Sequence, residues 1–143
     1  MRIALVVSRY HAFVTDRLEA GARAALLEAG VAAGDIEVFG VPGAFELAQA
    51  ASRIAESGSW SGVACLGCLI RGETPHFEYI ADAAAHGIMR AAQETGVPIT
   101  FGVLTTNTAD EALARAGDGA ANKGREAALA ALEMARVYRR VSP

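Results

Sequence analysis

Strand-like and helix-like patterns alternate along this chain. Residues 2–8, 36–41, 62–70 and 99–104 are short, nearly uninterrupted apolar runs. A strand wetted on one face alternates apolar and polar residues, whereas continuous apolarity marks a strand covered on both faces. Between the runs the spacing changes. Leu18, Ala22, Ala25 and Leu26 fall on one helical stripe, opened by Thr15 and Asp16 and closed by Gly30. Phe45, Leu47, Ala48, Ala51 and Ile54 form a second stripe, and residues 79–94 a third, ended by Gly96 and Pro98. A short helix over 108–115 and a last one over 125–139 complete the set.

The order β-α-β-α-β-α-β-α-α predicts the α/β class. Crossovers between parallel strands are right-handed and put helices on both faces of the sheet. The expected architecture is a three-layer α-β-α sandwich around a four-stranded parallel sheet. No linker, repeat or low-complexity tract divides residues 1–143, so one domain is expected. Four strands leave two open edges, which a partner subunit could cover.

Composition narrows the function. The net charge is −3 with no basic tract, which argues against a nucleic-acid partner. The apolar stretch 3–7 is far too short to span a bilayer or act as a signal peptide, so no membrane partner and a cytoplasmic location are expected. Cys65 and Cys68 form a CxxC, but on a strand, where positions i and i+3 point to opposite faces. Redox CxxC pairs open helices instead. Buried thiols and no metal site are the expectation.

The chemistry gathers at strand ends. Arg9-Tyr10-His11 follows the first run and Pro42-Gly43-Ala44-Phe45-Glu46 the second. Arg71-Gly72-Glu73-Thr74-Pro75-His76 follows the third, and Thr105-Thr106-Asn107 the fourth. The carboxyl ends of parallel strands share one edge of the sheet, where α/β proteins bind ligands. Tyr10 and Phe45 offer faces for a flat ring. Glu46 either accepts hydrogen bonds from a polar ligand or complements a helix start. Arg71 either binds an anion or fixes its turn by pairing with a carboxylate. Thr74 can cap a helix or give its hydroxyl to a phosphate. His76 stands just before a helix, whose positive end disfavours imidazolium and suits a proton-transfer group. His11 and His86 have weaker cases. Residues 117–124 end like a phosphate-binding loop but lack its GxxxxGK[ST] form, and no Gly-x-Gly-x-x-Gly follows the first strand.

Taken together, these segments resemble 6,7-dimethyl-8-ribityllumazine synthases, enzymes of riboflavin biosynthesis. The resemblance rests on Arg9-Tyr10, on residues 42–46 and 67–79, on Phe101-Gly102-Val103-Leu104-Thr105-Thr106, on Arg115-Ala116-Gly117 and on Asn122-Lys123-Gly124. It implies a flavodoxin-like fold and a transferase without metal or organic cofactor. The implied reaction condenses 5-amino-6-(D-ribitylamino)uracil with 3,4-dihydroxy-2-butanone 4-phosphate to give the lumazine, phosphate and water. An archaeal-type riboflavin synthase and a non-enzymatic flavin- or lumazine-binding protein are the competing readings. His76 matches the catalytic proton-transfer residue, and Tyr10 the aromatic stacked on the pyrimidine. Ala44, Phe45 and Glu46 match the segment gripping ring and ribityl chain, and Cys68, Leu69 and Ile70 the strand end reading the pyrimidine edge. Glu73 and Thr74 match the phosphate turn. Phe101, Arg115 and Lys123 match residues lent by an adjacent subunit or placed beside the butanone substrate. The resemblance also implies self-association as a homopentamer and, in some members, a 60-subunit shell. Tyr10 departs from the more usual phenylalanine or tryptophan, His11 from asparagine, and residues 118–121 from a segment with a lysine and an extra glycine.

Overall fold

A computed structural model describes residues 1–142. The four apolar runs form β1 (Ile3–Ser8), β2 (Ile36–Val41), β3 (Gly62–Ile70) and β4 (Ile99–Thr106). They pair in parallel in the order β2-β1-β3-β4. Five α-helices connect and flank them: α1 (Ala12–Glu28), α2 (Leu47–Glu56), α3 (His76–Thr95), α4 (Ala109–Ala114) and α5 (Lys123–Val141). The expected three-layer α/β sandwich is therefore what forms.

Alternation along β1 sorts the core into two layers. Ile3, Leu5 and Val7 face one side and pack with Val14, Leu18 and Leu26 of α1 and with Ala127, Ala128 and Ala131 of α5. Ala4 and Val6 face the other and pack with Leu47 and Ala51 of α2 and Ile88 of α3. Cys68 belongs to the first layer and Cys65 to the second, so the CxxC straddles the sheet. Both thiols are buried, which pushes Cys65 up to about 12 and Cys68 up to about 11.

Helix starts differ from the sequence pattern by one to three residues, for local reasons. His11 takes a left-handed conformation (φ 61°), and its carbonyl accepts the N–H groups of Val14 (2.9 Å) and Thr15 (3.0 Å). Helix α1 therefore begins at Ala12, ahead of the Thr15-Asp16 pair. Pro75, with φ near −73°, serves as the N-cap of α3, so His76 is the first helical residue. Asn122 caps α5: its side-chain oxygen accepts Arg125 N–H at 3.0 Å. Its amide donates to the carbonyls of Arg17, Ala116 and Gly117. The segment 117–124 is thus a hydrogen-bonded helix cap. Gly124 meets the backbone of Leu18 so closely that any Cβ would overlap the Leu18 carbonyl. That approach seats the start of α5, and with it Lys123, against α1.

Candidate active site

The carboxyl ends of β1, β2 and β3 open onto a cleft of about 840 Å³, a size suited to small-molecule ligands. It lies where the sheet order doubles back, between β1 and β3, the position at which open α/β sheets bind ligands. Tyr10 and Phe45 line it with their rings 64% and 59% exposed. Phe45 is therefore no core anchor. It sits on a short 3-10 turn (Ala44–Glu46) that breaks away from β2, and Leu47 behind it is the buried anchor.

Ala44, Glu46, Cys68, Leu69, Ile70, Thr74 and His76 line the same cleft. The Cys68 side chain turns into the core, so that residue can offer the cleft little beyond backbone. Thr74 does not cap α3, because that helix start has no side-chain cap. His76 is exposed at the first turn of α3, where the leading N–H groups have no intrahelical acceptor. Glu73 lies on the exposed turn but outside the cleft lining.

Sequence reasoning gave too little weight to His11 and did not assign Tyr79 and Ile80, which also line the cleft. The latter pair was legible in principle, because positions i+3 and i+4 from His76 share its helix face. His11 packs edge-on against Tyr10 (centroids 4.5 Å apart) and Phe13 (5.9 Å). Its partial burial lowers its pKa from the ordinary value.

Arg71 lines neither this cleft nor the next. Its guanidinium stacks over Phe77 at 4.7 Å, donates to the Asn107 side-chain oxygen at 3.0 Å and pairs with Glu78. The hydrogen bond from Arg71 is the main cause holding the Glu78 carboxyl below its usual value. Of the two roles open to Arg71, the structure realises the pairing that fixes the turn.

Phe101, Arg115 and Lys123 are elsewhere. They line a second cleft of about 410 Å³ along edge strand β4, with Thr105, Thr106, Glu111 and Glu126. Thr105 and Thr106 continue β4 instead of following it, because they pair with Leu69 and Ile70. Lys123 pairs with Glu126 at 3.2 Å. Arg115 donates only to the backbone carbonyl of Glu111 (3.4 Å) and forms no ion pair among the described residues. A guanidinium with no carboxylate on it, beside a lysine, is suited to receive an anion.

Two comparisons bear on this arrangement. A family model described as 6,7-dimethyl-8-ribityllumazine synthase matches residues 1–139. A protein of Syntrophus aciditrophicus (strain SB) named 6,7-dimethyl-8-ribityllumazine synthase is 48% identical over 141 residues, covering 99% of this chain and 92% of that protein.

Proposed function

Because the chain belongs to the 6,7-dimethyl-8-ribityllumazine synthase family, we propose that its two clefts are the two halves of one active site, completed between neighbouring copies. The activity is the family's: ribitylaminouracil and the butanone phosphate condense to the lumazine, with release of phosphate and water. The observation that carries the shared-site reading is the separation of the clefts. They have no lining residue in common, one holding the ring-binding groups and His76, the other Arg115 and Lys123.

In this reading the first cleft receives the pyrimidine. Tyr10 and Phe45 flank the ring, Glu46 accepts hydrogen bonds from ribityl hydroxyls, and the backbone of residues 68–70 meets the ring edge. The substrate's 5-amino group attacks the ketone, and loss of water gives an imine. Proton removal beside the imine then expels phosphate and leaves an enol that becomes a ketone; the ribitylamino nitrogen adds to that carbonyl, and a second water leaves as the ring closes. The nucleophiles belong to the substrate, so the protein's tasks are orientation, charge stabilisation and proton movement. His76 moves the proton. Thr74 and a neighbour's Arg115 hold the departing phosphate, with that neighbour's Lys123 and Phe101 closing the wall. Glu73, outside the cleft lining, shapes the turn and offers backbone.

Mixing two crippled chains tests this. His76→Ala and Arg115→Ala are each purified, then dissociated together and reassembled. Roughly a quarter of the mixed sites would combine an intact His76 with an intact neighbouring Arg115. Activity returning above that of either variant alone is the expected outcome. No recovery in mixed assemblies of verified composition would sink the shared site. An oligomer of at least five chains belongs to the same proposal, and mass photometry that finds only monomer defeats it. A cytoplasmic location is the matching proposal for where the enzyme works; among the described residues no helix is long and apolar enough to cross a membrane.

A further inference from the structure

We infer that Arg71 is a positioning residue for His76, acting through a tie between the catalytic turn and the end of β4. The turn 71–75 joins the last residue of β3 to the first of α3, and Gly72 through His76 are all exposed. The described residues bury no side chain of this turn, so packing alone does not fix it. One guanidinium supplies the missing constraint. Its Nε donates to Asn107 Oδ1 at 3.0 Å, one Nη pairs with Glu78, and its face lies over Phe77. Phe77 and Glu78 are the two residues that follow His76, so both hold the first turn of α3. Asn107 lies just beyond β4, and its N–H is in turn directed at the Glu111 carboxylate (3.4 Å). The Arg71 backbone N–H completes the tie, donating to the Thr106 carbonyl at 2.8 Å.

The pair is half-exposed, at 48% for each side chain, so it contributes little to global stability. Its value is geometric. A planar fork meets three partners in fixed directions, whereas an ammonium is a single point charge. Lysine at 71 could reach Glu78 or Asn107, but would not hold both and the ring together. A proton-transfer group must sit within hydrogen-bond reach of the substrate carbon acid, and small displacements there cost rate.

This inference rests on His76 as the proton-transfer group, and a double-mutant cycle separates the two ideas. Arg71→Met is expected to lower kcat on the order of tenfold with KM for both substrates little changed, with Arg71→Lys intermediate. In a His76→Ala background Arg71→Met should have almost no further effect. An equal loss in both backgrounds, an unchanged kcat, or a loss confined to KM for the phosphate substrate overturns the positioning role. If His76→Ala alone keeps full activity, the proton-transfer reading fails first and Arg71 cannot act through it. Asn107→Ala should show the same pattern at smaller amplitude, and carries the test if Arg71→Met does not fold.

Discussion

The two clefts are built on different principles. The first gathers residues from three strand ends, two of them central in the sheet, and its rings are held open by buried anchors behind them, such as Leu47 behind Phe45. The second lies on edge strand β4 and is walled by α4 and the start of α5. It sets Arg115 and Lys123 among hydroxyls and the carboxylates of Glu111 and Glu126, with little apolar depth. An apolar cleft can bind a ring by itself, because the protein's own packing supplies the walls. A polar shelf on an edge strand is open to one side, and a charge there is screened unless something covers it. Under the proposed function, recognition of the ring is then a property of one chain, whereas recognition of phosphate depends on what is set against the shelf.

Removing one group from each cleft shows which kinetic constant each cleft controls. His76→Ala should lower kcat by about a hundredfold yet leave measurable turnover, since general acid–base catalysis is only part of the acceleration. Complete loss of turnover with intact folding and substrate binding would contradict the division between orientation and proton transfer. Arg115→Ala should raise KM for the butanone phosphate by about tenfold or more, the scale of a lost charge-assisted hydrogen bond, while KM for the pyrimidine stays put. An unchanged phosphate KM would remove the second cleft from the reaction. Tyr10→Ala should weaken pyrimidine binding by several-fold, near the 1 kcal/mol scale of an aromatic pair, and Tyr10→Phe should restore it. Calorimetry with the pyrimidine alone measures this, and loss of affinity in Tyr10→Phe would show that the hydroxyl matters.

The smallest expected effect concerns His11. Burial lowers its pKa in the folded chain relative to the ordinary 6.5. The unfolded chain then binds more protons in the window below 6.5, so the protein is less stable there and regains that stability as pH rises through 6.5. His11→Asn keeps a residue tolerant of the left-handed backbone and removes the titration. Its unfolding midpoint should vary less between pH 5 and 7 than that of the parent, by about a degree or two in Tm. An identical pH dependence in both proteins would clear His11 of the effect.

Much of this was legible in the residues. The central strands β1 and β3 declare themselves because they are buried on both faces and so tolerate almost no polar residue; the edge strands β2 and β4 keep exposed positions at Glu37 and Thr105 and are read from the apolar residues around them. Helix starts were harder to read, because two of them are set by backbone: His11 in the left-handed region and Pro75 at the cap. Neither leaves a side-chain capping signal. The strand-end rule brings the segments after β1, β2 and β3 to one cleft, whereas Phe101, Arg115 and Lys123, on and beyond β4, are named only by the family resemblance. The rule could not divide the candidates between two clefts, since that division follows from strand order, with β4 outermost. Arg71 was ambiguous for a related reason. Its partner Asn107 is 36 residues away along the chain, and only the pairing of β3 with β4 brings the two together.

The straddling cysteines have a practical consequence. Neither can reach the other through the sheet, and each has a thiol too buried and too weakly acidic to ionise near neutral pH. The folded chain is therefore expected to resist maleimides and alkylating labels. A single cysteine placed at an exposed helical position such as Gln93 would be the one reactive thiol in each copy. Spin or fluorescent probes attached there would test directly whether copies associate, without first stripping the protein of its own cysteines.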